Sequence, residues 1–264
     1  MDDIGGSGAA GAGLHQVTEG TGPRVVLVHG FTQTMASWQP VAHELVRDHE
    51  VVLVDAPGHG GSADVRADLA AGADLLGAAG GAAVYVGYSM GGRFALRLAL
   101  DRPDLVTGLV LLGATAGIDD PAERAARRDA DRSLATRIEE NGLEPFLEEW
   151  LAGPLFAGLS PAAAGLAARR ANTEAGLASS LRLAGTATMD PPWWDELPGL
   201  GVPTLVLAGS DDAKFTHLGH RIADAIGPKA RFAAVDGAGH AAHLEDPRTV
   251  AGLIRTAFRP TEGI

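Results

Sequence analysis

The segment Gly87-Tyr88-Ser89-Met90-Gly91 carries the clearest chemistry in this chain. It follows the β-branched run Ala83 to Val86 and precedes a helix pattern beginning near Gly92, which places the serine on a sharp strand-to-helix turn. A hydroxyl held there is exposed for use as a nucleophile or a base. Small flanking residues suit such a turn, because it brings backbone segments together and uses unusual φ/ψ values. In a chain with 36 glycines the bare Gly-X-Ser-X-Gly pattern means little; the strand and helix beside it give it weight. A serine needs a partner base, and nine histidines compete for that role. His240, in Gly237-Ala238-Gly239-His240, is best placed, in a loop directly after the last apolar run, Arg231 to Val235. His29 ends an early strand before Gly30-Phe31, and His59 lies in the turn-forming run Asp55 to Ser62, so both are expected to shape turns. His43 and His49 read as solvated side chains. His217 and His220 form an i, i+3 pair without a third ligand at suitable spacing, so no metal site is expected. His243 is expected either to line a pocket or to cap a helix.

Six short runs would position these groups: Arg24 to Val28, Val51 to Val54, Ala83 to Val86, Gly108 to Leu112, Thr204 to Leu207 and Arg231 to Val235. Continuous apolar runs of this length fit parallel strands buried on both faces. Between them, patterns such as Trp38 to Arg47 and Arg93 to Leu100, the latter followed by Pro103, fit helices. The alternation predicts an α/β fold with a doubly wound, mostly parallel sheet. It stops between Ile118 and Asp190, a stretch rich in Ala, Glu, Arg and Leu with scattered Gly and Pro. Several short helices are expected there, inserted after a central strand as a cap over the carboxyl ends of the strands, where such sheets bind ligands. The expected organisation is a flexible N-terminal tail over 1–13, a core built from 14–117 and 191–264, and a helical cap over 118–190.

This layout supplies the remaining partners. An acid after the next-to-last strand would complete the order serine, acid, histidine, and both Asp211 and Asp212 in Gly209-Ser210-Asp211-Asp212 qualify. Asp212 is preferred; it would hold the His240 tautomer and stabilise the imidazolium without taking its proton. Either aspartate would otherwise serve as the N-cap of the next helix. Two backbone N–H groups, of Met90 and of Phe31, are expected to form an oxyanion site.

Composition narrows the classes of partner. There are 21 Lys plus Arg against 33 Asp plus Glu, a formal charge of −12, which argues against nucleic acid or an anionic membrane surface. Cysteine is absent, excluding disulfides, thiolate metal sites and a cysteine nucleophile together. With no apolar run of about 18 residues and an acidic, glycine-rich start, the chain reads as a soluble cytoplasmic protein without membrane insertion. Oligomeric state is not legible. Of the cationic residues only Lys214 and Lys229 are lysines, a bias that suits planar, bidentate anion binding as well as codon preference. Arg93 stands near the start of a helix, where the macrodipole disfavours a cation, so it makes best sense beside a bound anion or a nearby carboxylate. Arg127 is spaced to pair with Asp131 at i+4. Between Asp119 and Arg170 seven arginines face ten acidic residues, so this stretch is no basic patch.

His29-Gly30-Phe31, the Asp55 to Ser62 turn, the Ser89 segment, Asp212 and His240 together resemble the α/β-hydrolase superfamily over nearly the whole chain. The inserted region resembles a narrower group, the 2-succinyl-6-hydroxy-2,4-cyclohexadiene-1-carboxylate synthases of menaquinone biosynthesis. The residues concerned are Glu123-Arg124 with Arg127, Asp131, Ala135 and Arg137; Phe146-Leu147 with Trp150; Pro154-Leu155-Phe156-Ala157; and Arg169 with Asn172. Asp212-Ala213-Lys214-Phe215 and Ala238 to His243 add to it, whereas Ala187 to Trp194 lacks a glutamine associated with the group. The resemblance implies a carbon–oxygen lyase that removes a proton from a cyclohexene, expels pyruvate and leaves a conjugated diene, with no metal or organic cofactor. It implies a small-molecule substrate with three carboxylates, met by Arg93, Arg127 and Arg169, with Arg170 beside the last leaving the position open by one. Tyr88 and Trp150 would line the pocket. The rival expectation is a serine hydrolase of small esters, thioesters or carbon–carbon bonds, with Ser89 as a covalent nucleophile.

Overall fold

The computed structural model describes residues 13–258. Gly13 apart, the tail expected over residues 1–13 lies outside them. The chain begins with β1 (Gln16–Gly20), β2 (Arg24–Val28), α1 (Gln39–Leu45), β3 (Glu50–Val54), α2 (Leu69–Gly80), β4 (Ala83–Tyr88), α3 (Met90–Asp101) and β5 (Val106–Leu112). Helices α4 (Pro121–Asn141), α5 (Leu143–Leu151), α6 (Pro161–Ala164), α7 (Leu166–Arg169) and α8 (Glu174–Ala184) follow without a strand between them. The chain then completes the sheet with β6 (Thr204–Gly209), α9 (Ala213–Ile226), β7 (Ala230–Val235), α10 (Ala242–Glu245) and α11 (Pro247–Ala257).

The seven strands form one sheet in the order β1-β3-β2-β4-β5-β6-β7. All neighbours are parallel except β1, which runs antiparallel to β3. Alternate residues of each inner strand feed opposite faces. Val26, Val28, Val52, Val54, Tyr85, Leu109 and Leu111 pack against α2 and α3 residues such as Leu76 and Phe94. Val25, Leu27, Leu53, Val86, Val110, Leu112 and Leu207 pack against Trp38, Val41, Leu45, Val250 and Ile254. Burial on both faces explains why these strands read as unbroken apolar runs. β1 gave no such signal because it is an edge strand with four of its five residues exposed.

The helical stretch between β5 and β6 has a small core of its own, made of Ala135, Ile138, Phe146, Leu147, Leu177, Ala178 and Leu181. Its helices start at recognisable caps: Asp120 accepts from the Ala122 and Glu123 amides before Pro121 opens α4, and Thr173 accepts from Gly176 at the start of α8. Among the described residues no helix is long and apolar enough to cross a membrane.

Candidate active site

Strand β4 runs to Tyr88 and α3 starts at Met90, two residues earlier than the sequence pattern suggested, so Ser89 alone makes the turn. Its φ of 52° and ψ of −106° are strained for a residue with a side chain, and Thr32 is the other non-glycine residue with positive φ among the described residues. The turn is closed by the Ser89 amide, which donates to the Leu112 carbonyl at 2.8 Å. Two glycines make it possible. A Cβ at Gly87 would lie 2.4 Å from the Gly91 carbonyl oxygen, and one at Gly91 would lie 2.3 Å from that of Val28. Backbone atoms cannot yield at such distances, so the pattern around the serine is a packing requirement.

His240 follows β7 and is buried; its Nδ1–H donates to Asp212 Oδ2 at 2.7 Å. The proton belongs on Nδ1 because the carboxylate can only accept, which leaves Nε2 free to take a proton. Asp212 Oδ1 accepts from the Phe215 amide at 3.1 Å, so one oxygen caps α9 while the other orients the imidazole. The same carboxylate thus makes both the helix-cap contact and the histidine contact. Burial alone would push the Asp212 carboxyl up, but the His240 hydrogen bond, the Phe215 amide and the nearby charges of His240 and Lys214 together hold it below the usual value. Asp211 instead accepts from the Ser210 hydroxyl at 3.3 Å and is exposed. The His240 ring is sandwiched by Phe215 at 4.4 Å and Tyr88 at 5.2 Å between ring centres.

Ser89 and His240 line one cavity of about 440 Å³ together with Phe31, Met90, Arg93, Arg127 and Trp150. Lys214, Phe215, Asp131, Ser180 and Thr186 line it as well, positions that residue type and spacing alone do not assign to a pocket. Among the described residues neither the Phe31 nor the Met90 amide has an acceptor in the fold. The loop carrying Phe31 is fastened on both sides. The Gly30 amide donates to Gln33 Oε1 at 3.1 Å, and His29 bonds the Gly30 carbonyl through Nδ1 at 2.8 Å and accepts from the Ala56 amide through Nε2 at 3.0 Å. His59 likewise donates to the Pro57 carbonyl and accepts from the Thr32 amide at 3.3 Å. Each ring thus works as a neutral imidazole in a turn. Burial pushes both histidines down, His59 to about 3.

Arg93 is buried and lines the cavity, and among the described residues no carboxylate lies within ion-pair distance of it. Its Nη2 donates to the Ala184 carbonyl at 2.9 Å and its Nε has no partner. Burial pulls its pKa down to about 10, with Arg127 lowering it further and Asp131 raising it, so the guanidinium stays charged at neutral pH. Arg127 donates from Nε to Asp131 Oδ1 at 2.8 Å, the i+4 pair expected, and still reaches the cavity. The other oxygen of the buried Asp131 has no partner.

Arg169 and Tyr88 do not line this cavity. Arg169 lies behind the Phe31 loop with Nε on the Ala164 carbonyl at 2.8 Å and Nη1 on the Thr32 hydroxyl, and burial pulls its pKa to about 10. Tyr88 is buried, its hydroxyl pushed far up by desolvation, and its ring closes over Gly30, where a Cβ would come within 2.7 Å of it. His243 neither lines the cavity nor caps a helix through its side chain: fully buried, it stacks between Tyr88 at 4.3 Å and Trp38 at 4.6 Å. Its sequence setting, one turn beyond His240, gave no sign of that packing. Among the described residues no group of three or more His, Cys, Asp or Glu is placed to hold a metal.

A family model described as the alpha/beta hydrolase family matches residues 25–253. The chain belongs to the alpha/beta hydrolase family. Within this enzyme family, a curated 2-succinyl-6-hydroxy-2,4-cyclohexadiene-1-carboxylate synthase from Klebsiella pneumoniae is 33% identical over 239 residues, covering 86% of this chain and 90% of the relative. Among solved structures, MenH from S. aureus superposes with a TM-score of 0.83 at 27% identity, covering 92% of this chain and 97% of that one. A thermophilic esterase from Thermogutta terrifontis, solved with malate bound, has a TM-score of 0.79 at 29% identity, with 92% of each chain covered. Alpha/beta hydrolase members of differing activity thus share this frame, and the groups lining the cavity must distinguish them.

Proposed function

We propose that this chain is a carbon–oxygen lyase of menaquinone biosynthesis that converts a tricarboxylate enolpyruvyl cyclohexene into 2-succinyl-6-hydroxy-2,4-cyclohexadiene-1-carboxylate and pyruvate. The observation that carries this reading is the buried Arg93 guanidinium, which shares the cavity of Ser89 and His240 and has no carboxylate partner and an unpartnered Nε. A buried cation of this kind is costly unless an anion joins it. Arg127 and Lys214 add positive charge to the same cavity, and a planar guanidinium matches a carboxylate in a bidentate fork. A neutral ester would leave the Arg93 charge unanswered, whereas Arg127 is already paired with Asp131.

In this reading Ser89, His240 and Asp212 act as a triad. The serine hydroxyl takes the ring proton next to the succinyl carbonyl while its own proton passes to His240 Nε2, and Asp212 steadies the imidazolium. The electron pair of the broken carbon–hydrogen bond flows first onto the carbonyl oxygen, which the Phe31 and Met90 amides receive. It then returns to form a new ring double bond, the existing double bond shifts, and the carbon–oxygen bond to the enolpyruvyl group breaks. The departing enolpyruvate takes up at carbon the proton that passed to His240 Nε2, which gives pyruvate and returns the imidazole to its neutral form. Every step uses groups of this chain and the substrate alone. Trp150, in edge-to-face contact with Phe31 at 5.4 Å, would pack its ring against the substrate from the cavity wall.

The test supplies purified protein with the enolpyruvyl cyclohexene and, in parallel, a nitrophenyl ester. Diene absorbance and pyruvate release from the first, lost on Ser89→Ala, are expected. Rapid ester turnover without diene formation would replace this reading with a serine hydrolase.

A further inference from the structure

We propose that Asn172 is a positioning residue that fixes the oxyanion loop by clamping Thr32. Thr32 follows Phe31 directly and has a φ of 66°, a left-handed conformation that a β-branched residue keeps only when its surroundings hold it there. All three of its polar groups are held. The amide donates to His59 Nε2 at 3.3 Å, the carbonyl accepts from Asn172 Nδ2 at 2.7 Å, and the hydroxyl accepts from Arg169 Nη1.

Asn172 is buried, and its side chain joins three segments that are far apart in sequence. Oδ1 accepts from the Gly60 amide at 3.0 Å, in the turn that carries His59. Nδ2 donates to Thr32 and also to the Arg169 carbonyl, at 2.9 Å, at the end of α7. On the other side of Phe31, Gly30 is fastened through its amide to Gln33 and through its carbonyl to His29. Phe31 therefore stands between two anchored residues, and the direction of its amide is set by both. Arg169 contributes to the same clamp through the Thr32 hydroxyl, which gives a physical role to an arginine that does not line the cavity.

The inference rests on the oxyanion role given above to Phe31 and Met90, and the experiment separates the two. Phenylboronic acid is the probe: Ser89 Oγ adds to boron, the serine proton passes to His240, and a boron-bound oxygen takes the oxyanion position. Binding to the full chain is measured by calorimetry for wild type, Asn172→Asp and Asn172→Ala, with kcat, KM and melting temperature for whichever substrate is turned over. Asn172→Asp keeps the acceptor for Gly60 and removes both donors with a change of one atom. It is expected to weaken boronate binding and lower kcat by about tenfold or more, since misplacing one oxyanion donor costs up to the order of a hundredfold. KM should stay close to wild type, and because the substitution leaves the Thr32 and Arg169 carbonyls without their donor the melting temperature should fall by a few degrees, so binding and kcat are measured well below it. Arg182→Ala on α8, which breaks an exposed ion pair with Glu139 of α4, should change neither. Wild-type boronate affinity and kcat in Asn172→Asp would overturn the clamp while leaving the oxyanion site standing. So would losses in both Asn172 variants that disappear once each is measured well below its own melting temperature. Failure of the wild type to bind boronate would overturn the oxyanion reading itself, and the clamp with it.

Discussion

At the scale of single residues, the proposed reaction assigns charge and serine chemistry to different atoms. Arg93 and Arg127 reach the cavity and would meet the carboxylates, while the proposed oxyanion donors are backbone amides. Replacing either arginine with Ala should cut kcat/KM for the tricarboxylate by about a hundredfold, the scale of losing a charge-assisted pair of about 3 kcal/mol. Turnover of a neutral nitrophenyl ester by the same variants should change by no more than a few fold. Equal losses on both substrates would show that the arginines support the fold instead. Arg169→Ala should differ from both, lowering the two activities together because its guanidinium bonds Thr32. Ser89, Asp212 and His240 were legible in the sequence because each combines a reactive type with a strand end beside it. Thr32 and Asn172 were not. A left-handed threonine has no compositional mark, and the contacts of Asn172 join positions more than 100 residues apart.

At the scale of elements, the strand-turn-helix unit around Ser89 tolerates no side chain at its glycines. Gly87→Ala and Gly91→Ala would drive a methyl group into backbone carbonyls at 2.4 Å and 2.3 Å. Each is expected to cost about 3 kcal/mol or more in stability, at the upper end of overpacking penalties, with activity lost alongside. Urea denaturation checks this, and a midpoint within error of wild type would contradict it. Inner strands were readable as apolar runs because helices cover both faces of the sheet. The edge strand β1 was invisible for the opposite reason, its exposed side chains following no apolar pattern. The stretch between β5 and β6 was readable as helical from composition. How it meets the Phe31 loop was not, since Phe31 touches Phe146 and Trp150 through aromatic edges that no local period encodes.

At the scale of the whole molecule, a formal charge of −12 coexists with a cavity carrying several cations. Screening limits exposed charge to about 8 Å at physiological salt, so the overall charge governs solubility while Arg93 and Arg127 govern the pocket. Three fully buried histidines, His29, His59 and His243, are pushed down by desolvation, His59 to about 3. In the unfolded chain they titrate near 6.5, so below that pH the unfolded state binds more protons and stability falls as pH falls. Asp55, held below its usual value by the Met35 amide, His29 and the Gly61 amide against the opposing effect of burial, acts in the same direction at lower pH. His59, with a folded value of about 3, contributes about 1.4 kcal/mol per pH unit below the unfolded value, and His29 and His243 act in the same direction, so the melting temperature should drop by at least a few degrees between pH 7.5 and 5.5. A flat melting profile would contradict the burial of these rings. The central claim is that Ser89 removes a proton and carries no acyl group. Its most direct test follows pyruvate and diene together after wild-type enzyme is mixed with the enolpyruvyl cyclohexene, with intact protein mass measured on quenched samples. Equimolar pyruvate and diene, slowed by deuterium at the abstracted ring position, with an unmodified protein mass at every time point, are predicted. Covalent labelling of Ser89, or no diene at all, would contradict the account.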